Sequence, residues 1–193
     1  MQAQLTATDI ACRRGDRLLF RGLSLSLGAG DALHVTGANG VGKSSLMRIL
    51  AGLLQPFAGE VRANGAVGLV DERLPLDPNA TLDKALAFWR GLDGTREADE
   101  TLQTLQLAQL FDVPVRYLST GQRKRASLAL LMMRDCPIWL LDEPLSGLDT
   151  GAQETVARLI ARHCEKGGLA VIASHQPLGM AEIGTLAVED FAS

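Results

Sequence analysis

The sequence predicts an α/β fold with a mostly parallel sheet, an antiparallel β subdomain at its N-terminal end and an inserted α-helical subdomain. Three observations predict it: strand-like apolar runs fill residues 1–36, the middle of the chain has helical apolar spacing, and strands then alternate with helices. We therefore expect one domain over residues 1–193. Its core would comprise residues 1–74 and 135–193, and its helical subdomain residues 75–134.

The first half of the core is predicted to hold several strands and one helix. Three strands are expected in QLTATDIAC, LLFRGLSLSL and DALHVTG, and a helix in KSSLMRILAGLL, after a glycine-rich loop. Two short runs follow in GEVRANGAVGLVDE. Because Asn-Gly is a strong hairpin signal, we expect Asn64-Gly65 to join these runs as a hairpin.

The helical subdomain is predicted to hold three helices, in TLDKALAFWRGL, READETLQTLQLAQL and STGQRKRASLALLMMR. Thr81 and Ser119 are the expected N-caps. The second half of the core then comprises the strand IWLLDE, the helix GAQETVARLIARHCEK, the strand LAVIASH and a last strand TLAVED. Gly167-Gly168 is expected to end that helix.

Composition excludes several classes of protein. The net charge is −3 and the lysines and arginines are scattered, which argues against a nucleic-acid partner. The apolar stretches are too short to span a membrane, so we expect membrane contact only through partners. Cys12, Cys136 and Cys164 are odd in number and widely spaced, which favours a reducing cytosol over a disulfide or metal framework. His163 beside Cys164 is expected to be an incidental pair, since helix neighbours point apart.

The stretch GANGVGKSS matches the phosphate-loop pattern G-x-x-x-x-G-K-[ST] in full, between a predicted strand and a predicted helix. Its glycines let backbone N–H groups point at a β-phosphate, and the helix adds its positive end. We expect a nucleotide with β- and γ-phosphates and Mg²⁺ at this site, with Lys43 on the two phosphates and the Ser44 hydroxyl on the metal. The predicted phosphate-binding residues are Gly37, Asn39, Gly40, Gly42, Lys43, Ser44 and Ser45.

The apolar strand in IWLLDEP ends in two carboxylates. Asp142 is expected to hold the Mg²⁺ shell, and Glu143 to orient or deprotonate the attacking water. Alone, such a pair is as typical of an ordinary loop, but the complete phosphate loop favours catalysis. His175 follows a core strand at the sheet edge where α/β folds bind ligands, so we favour a γ-phosphate contact over a structural role. On local grounds alone, Asp149 in SGLD is as typical of an N-cap for the helix that follows as of a functional residue.

The motifs GANGVGKSS, LSTGQ, WLLDEP, SGLD and SHQPL follow one another in this order, and with them nearly the whole chain resembles the ATP-binding subunits of ABC transporters. LSTGQ is the most discriminating, because kinases and GTPases have no counterpart. The resemblance implies a P-loop ATPase fold and ATP hydrolysis coupled to transport. It also implies a dimer of two copies that sandwiches two ATP molecules, with Asp149 coupling the sites. The signature residues that would cover the partner's ATP are Leu118, Ser119, Thr120, Gly121 and Gln122.

The signature stretch also has a physical interpretation. Ser119 begins a helix, so free N–H groups and the positive helix end are expected to face outward as an anion site. Arg123, Lys124 and Arg125 are expected to be solvated or to face a partner. Thr120 stands where the family most often has glycine, so its side chain either points away from the nucleotide or narrows the site.

Two positions depart from the family pattern. Arg14 stands where an aromatic residue usually stacks on adenine, and an arginine plane either replaces that stacking or leaves weaker adenine selectivity. The family's Gln that senses Mg²⁺ and the permease is replaced by Glu72, or by Asp71 with a slip of one residue. We expect Glu72 near Mg²⁺.

Within the family, the short chain, the non-glycine third signature residue and SHQPL resemble the ATP-binding subunit of the bacterial cytochrome c biogenesis system, the haem exporter. This resemblance implies a peripheral position on the cytoplasmic side of the bacterial inner membrane, with integral membrane permease subunits as partners. The alternatives are a subunit for another cargo and an ABC-type ATPase scaffold that drives no transport. Phe88 and Trp89 are candidates for the permease-docking surface, although a core position is as plausible for one of them.

Overall fold

Two β-sheets form the framework of the structure, a computed structural model that describes residues 2–93, 98–134, 136–180 and 183–192. In these residues a three-stranded antiparallel sheet has the order β2-β1-β4, and a five-stranded parallel sheet has the order β5-β6-β7-β3-β8. The strands are β1 (Gln4–Arg14), β2 (Arg17–Gly28), β3 (Ala32–Thr36), β4 (Ala58–Asn64), β5 (Val67–Val70), β6 (Ile138–Asp142), β7 (Leu169–Ala173) and β8 (Gly184–Ala187).

Helices cover both faces of the parallel sheet. They are α1 (Lys43–Leu50), α2 (Leu82–Asp93), α3 (Ala98–Thr104), α4 (Thr120–Met133) and α5 (Thr150–Glu165), with short 3-10 helices at Ala108–Leu110, Val115–Tyr117 and Val188–Phe191. In the described part of the chain, none of these helices is both long and apolar enough to cross a bilayer.

The apolar residues of the central strands divide between two clusters, because successive side chains of a strand face opposite sides. On β6, Ile138 and Leu140 pack with α1 and the antiparallel sheet, whereas Trp139 and Leu141 pack with the helices of the opposite side. The β7 strand divides in the same way. The sheet is therefore buried on both faces, as its continuous apolar runs predict.

The predicted α/β fold class is confirmed, but the predicted hairpin at Asn64-Gly65 is wrong. The β4 strand pairs antiparallel with β1, and β5 pairs parallel with β6, so this turn passes the chain from one sheet to the other. The two strands join different sheets because their compositions differ. The β4 strand is largely exposed and polar, whereas VGLV of β5 is apolar throughout and suits a position inside a parallel sheet.

The second predicted helix of the subdomain is also shorter than expected. The α3 helix ends at Thr104, and Gln106 adopts a φ of 51°, which breaks the helical path before the 3-10 turn at Ala108–Leu110. Arg96 and Glu97, at the start of the predicted helix, lie outside the described residues. Thr81 does directly precede α2, and its carbonyl accepts a hydrogen bond from Ala85 N.

The fold brings the carboxyl ends of four neighbouring strands to one edge of the sheet. The phosphate loop follows β3, Asp71 follows β5, Asp142 and Glu143 end β6, and His175 comes shortly after β7. Because the strands are parallel, residues from distant parts of the sequence meet at this edge.

Candidate active site

The glycine-rich loop lies between β3 and α1. The N-cap of α1 is Gly42, with φ 121° and no side-chain cap, and no acidic residue lies in the first turn. A Cβ atom on Gly42 would lie 3.1 Å from the ring of Phe20, so both its conformation and its surroundings favour glycine. Asn39, Gly40 and Ser44 are exposed and Ser45 is half-buried. The loop and the helix N-terminus can therefore bind an anion through backbone N–H groups.

The Lys43 side chain is folded over this loop. Its Nζ donates hydrogen bonds to the carbonyl oxygens of Gly37 at 2.6 Å and Ala38 at 3.3 Å. Only 7% of the residue is exposed. The ammonium is thus held at the mouth of the loop, where a bound phosphate would meet it.

Asp142 supplies a buried carboxylate next to the loop. It is 5% exposed, and its Oδ1 has no hydrogen-bond partner. Burial raises the pKa of Asp142, and the neighbouring Ser44 hydroxyl opposes this by lowering it. An unpartnered buried carboxylate oxygen beside a hydroxyl is a donor set that suits Mg²⁺. Among the described residues no group of three or more His, Cys, Asp or Glu side chains could hold a metal, so nucleotide oxygens or water would complete such a shell.

Glu143 and His175 form a pair at the same edge. Glu143 has a φ of 48°, and its N–H donates to Ala173 O at 2.8 Å, so the backbone turns sharply after β6. Its Oε2 lies 2.9 Å from Nδ1 of His175. Both side chains remain partly exposed, at 27% and 56%. The carboxylate is therefore oriented by the imidazole and open to water.

The two acidic residues after β5 have different environments. The Asp71 carboxylate lies 3.6 Å from Arg48 of α1 and accepts a hydrogen bond from Arg73 N. Glu72 is exposed. Asp71 is thus held toward α1, and Glu72 is the residue of the two that is open to solvent.

The predicted N-cap at Ser119 is confirmed, with a full capping box. The Ser119 hydroxyl accepts from Gln122 N, and Gln122 Oε1 accepts from Ser119 N at 2.8 Å. The expectation of free N–H groups is therefore wrong for these two donors, because local side chains already satisfy them. Leu118 is buried beneath the turn.

Thr120 and Gly121 pack against the SGLD loop of the same chain. A Cβ atom on Gly121 would lie 2.4 Å from the Gly147 carbonyl oxygen, so only glycine fits there. A Cβ atom on Gly147 would lie 3.3 Å from the Cβ of Thr120. The side chain of Thr120 is thus beside its own SGLD loop. Asp149, at the end of that loop, caps α5 by accepting from Ala152 N at 2.8 Å.

The three basic residues after the signature are engaged within the chain. Arg123 donates to the carbonyls of Leu118 and Arg116, and Arg125 to the carbonyl of Leu105. The expectation that Lys124 is solvated or faces a partner is wrong, since the residue is only 7% exposed and its Nζ donates to the Asp142 carbonyl. Burial lowers the pKa of Lys124. Nearby carboxylates, of which Asp142 has the largest effect, raise it and so oppose the effect of burial. Its helical phase turns it inward.

The end of β1 has an aromatic neighbour that the local sequence does not contain. Arg14 is exposed and pairs across the turn with Arg17. The guanidinium of Arg13 lies 4.6 Å from the ring centroid of Phe57, which is itself exposed. Phe57 comes from the segment after α1, so an alignment of the β1 stretch alone misses it.

The structure also shows a contact of the phosphate loop that the sequence does not predict, and it distinguishes the environments of Phe88 and Trp89. Glu189, in the last 3-10 turn, accepts a hydrogen bond from Ala38 N of the phosphate loop at 2.5 Å, and no local sequence pattern predicts this contact. On α2, Phe88 is 63% exposed, whereas Trp89 is half-buried and donates its Nε1–H to Pro75 O. Of the two candidates for docking, Phe88 therefore offers the free apolar surface.

Comparison with known proteins agrees with these features. The family model for ABC transporters matches residues 20–146. The cytochrome c biogenesis ATP-binding export protein CcmA of Novosphingobium aromaticivorans is 57% identical over 97% of this chain and 96% of its own length. The proteins of the same name from Zymomonas mobilis and Sphingopyxis alaskensis are 49% and 45% identical, over 99% and 96% of this chain and 87% and 97% of their own lengths.

Solved structures share the fold. The ATP-binding cassette MJ0796, a dimer in a post-hydrolysis state bound to ADP and Pi, superposes with a TM-score of 0.78 at 20% identity, over 89% of this chain and 88% of its own. RNase-L Inhibitor superposes with a TM-score of 0.78 at 25% identity, over 90% of this chain and 34% of its own. With a family model over more than half of its length and relatives over nearly all of it, the chain belongs to the ABC transporter family, among its CcmA-like ATP-binding proteins.

Proposed function

We propose that this chain is the ATP-binding and ATP-hydrolysing subunit of an ABC export complex that serves cytochrome c biogenesis. The observation that carries the ATPase part is the pair of Glu143 and His175, 2.9 Å apart, at the sheet edge that also holds the phosphate loop and buried Asp142. The export role follows from the extended likeness to the CcmA proteins.

The chain's own residues would bind and orient the nucleotide. Backbone N–H groups around Gly40–Ser45 would point at the β-phosphate, and Lys43 would exchange its carbonyl contacts for the β- and γ-phosphates. Ser44 and Asp142 would hold Mg²⁺, with Glu72 as a further candidate. When bound, the metal neutralises charge on the phosphate oxygens. Arg14, at the end of β1, is proposed to lie on the adenine side.

Glu143 is proposed as the catalytic carboxylate. Its free oxygen orients a water toward the γ-phosphate and accepts a proton as that water attacks. In the imidazolium form of His175, Nδ1–H would donate to the other oxygen of Glu143 and Nε2–H would be left to donate to the γ-phosphate. Asp142 is buried whereas the Glu143 side chain is partly exposed, so we assign the two acids separate tasks.

The working unit is proposed to be a dimer of this chain. Residues Leu118–Gln122 of one copy would cover the ATP in the phosphate loop of the other, and Asp149 would couple the two sites. Because the capping box occupies two N–H groups, the contact would rest on the Ser119 hydroxyl and the remaining N–H groups of the first turn.

The complex is proposed to work at the cytoplasmic side of the bacterial inner membrane, with the chain as a peripheral subunit below integral membrane permease subunits. Exposed Phe88 on α2 is the apolar contact offered to a permease helix. ATP use would power haem export or the release of haem to its chaperone. We expect no nucleic-acid partner.

The catalytic assignment is tested with Glu143→Gln. The amide keeps the size of the side chain but accepts no proton, so we expect turnover to fall by ~10²–10⁴. Binding of ATP, measured by calorimetry, should persist, and sedimentation should show a lasting dimer in ATP. Glu165→Gln, an exposed acid at the far end of α5, is the matched control. Wild-type turnover in Glu143→Gln would rule out Glu143 as the catalytic carboxylate.

The export role is tested in a bacterium that matures c-type cytochromes. The tagged chain is purified from detergent-solubilised membranes, and covalent haem in cytochrome c is stained in a strain that carries Glu143→Gln as its only copy. We expect co-purification with multi-span subunits and a haem-handling protein, and loss of haem staining. Unchanged staining with another membrane partner would instead indicate a different cargo, and recovery without any membrane protein a scaffold.

A further inference from the structure

Lys124 is a buried charged group outside the phosphate loop, with only 7% of the residue exposed. It lies in the second turn of α4, and its Nζ is 3.1 Å from the Asp142 carbonyl oxygen and 3.4 Å from that of Asp71. The first carbonyl belongs to the last residue of β6, and the second to the residue that follows the neighbouring parallel strand β5. One ammonium therefore joins α4 to the ends of two core strands.

Lys124 differs in this from the arginines on either side. Arg123 and Arg125 donate to Leu118, Arg116, Leu105 and Gln106, all within the helical part of the chain. Lys124 alone among the three basic residues reaches the core. Burying an ammonium costs free energy, and the hydrogen bonds of Lys124 to the two carbonyl oxygens offset that cost.

The same face of α4 carries the signature turn. Thr120 and Lys124 are four residues apart and so lie one above the other on the helix. Thr120 contacts the loop around Gly147, and Lys124 contacts Asp142, which lies five residues before Gly147 in the chain. This face is therefore attached at both points to the segment that begins with Asp142.

Asp142 connects that face to the nucleotide site. Its carboxylate lies beside the Ser44 hydroxyl at the start of α1, while its backbone carbonyl accepts from Lys124. A continuous set of contacts thus runs from Ser44 through Asp142 and Lys124 to the signature turn. Such a set transmits a change only if nucleotide binding alters one end of it.

We propose that Lys124 is a positioning residue that fixes the signature turn to the ends of β5 and β6, so that a nucleotide in the chain's own phosphate loop orders the turn offered to a second copy. This role rests on the proposed function, since it requires that the loop binds nucleotide. Lys124 would thus act before hydrolysis, when the signature turn is positioned for the second copy.

The test measures hydrogen–deuterium exchange of the full chain with and without ADP plus MgCl₂, at a concentration where sedimentation velocity gives a single monomeric species. In the wild type, we expect amides of residues 119–127 to exchange about tenfold more slowly with nucleotide, the size expected for a hydrogen bond to a charged donor. In Lys124→Met this slowing should vanish, while the slowing in residues 37–46 remains. Lys124→Arg, which keeps the cation and its donors, should retain it.

The control is Lys84→Met, which removes an exposed lysine of α2 and should behave as the wild type. If Lys124→Met gives no cooperative melting transition, Lys124→Gln, shorter and uncharged, is measured in its place. Slowing in residues 119–127 that survives in the variant, or is missing in the wild type, overturns the role of Lys124. Missing protection in residues 37–46 of the wild type overturns nucleotide binding itself, and so separates the two failures.

Discussion

Glu189 connects the end of the described chain to the phosphate loop. Its carboxylate accepts from Ala38 N, and the 3-10 turn that carries it is anchored by Val188, which is fully buried. Phe191 packs against the same apolar cluster as α1. The carboxylate is therefore well placed to hold the first half of the loop in its binding conformation.

We expect Glu189→Ala to weaken ATP binding about tenfold, because a charge-assisted hydrogen bond that preorganises the loop is lost. Isothermal titration calorimetry with ATP measures the change, and Asp190→Ala, at the exposed neighbouring position, is the control. Tighter binding in Glu189→Ala would reverse the interpretation, since it would mean that the carboxylate competes with phosphate for the loop.

At the level of elements, local sequence signals predicted those helices and strands whose own residues indicate both their type and their surroundings. The continuous apolar run of β6 and the capping pattern of α4 needed no distant information. The turn at Asn64-Gly65 did, because its hairpin signal describes only the turn. Pairing of β4 with β1 and of β5 with β6 is decided by which faces each strand must bury.

The candidate site divides in the same way. The phosphate loop and the acidic end of β6 are contiguous motifs, so the residue types in the sequence indicate their place at the sheet edge. Lys124 is one of three adjacent basic residues, and only the phase of α4 on the core distinguishes it. The contact of Glu189 with Ala38 spans most of the chain. Such contacts depend on the complete fold, which local sequence patterns do not encode.

For the whole molecule, the side of the sheet covered by α2–α5 contains an aromatic stack that ties α5 to β6. The rings of Trp139 and His163 are 3.8 Å apart between centroids and inclined by only 9°. His163 Nε2 donates to the Pro137 carbonyl at 3.2 Å, and a Cβ atom on Gly168 would overlap the imidazole. The ring is thus closely enclosed. Burial lowers the pKa of His163, and the hydrogen bond to Pro137 opposes this.

This depressed pKa makes global stability depend on pH. Well above about pH 6.5 the imidazole is neutral in both the folded and the unfolded chain, so it adds no slope. As the pH falls below that value the unfolded chain takes up the proton first, so the free energy of unfolding decreases until the folded pKa is reached. One proton limits this slope to about 1.4 kcal/mol per pH unit. Urea unfolding followed by tryptophan fluorescence from pH 8 to pH 5 measures it.

His163→Phe separates this effect from the other titrating groups of the chain. Phenylalanine keeps an aromatic ring against Trp139 but takes up no proton, so the free energy of unfolding should fall less steeply between pH 6.5 and pH 5 than in the wild type. The carboxylates and the other two histidines are the same in both proteins, and the difference between the two slopes therefore reports His163 alone. Equal slopes would mean that the stacked imidazole takes up its proton as readily folded as unfolded.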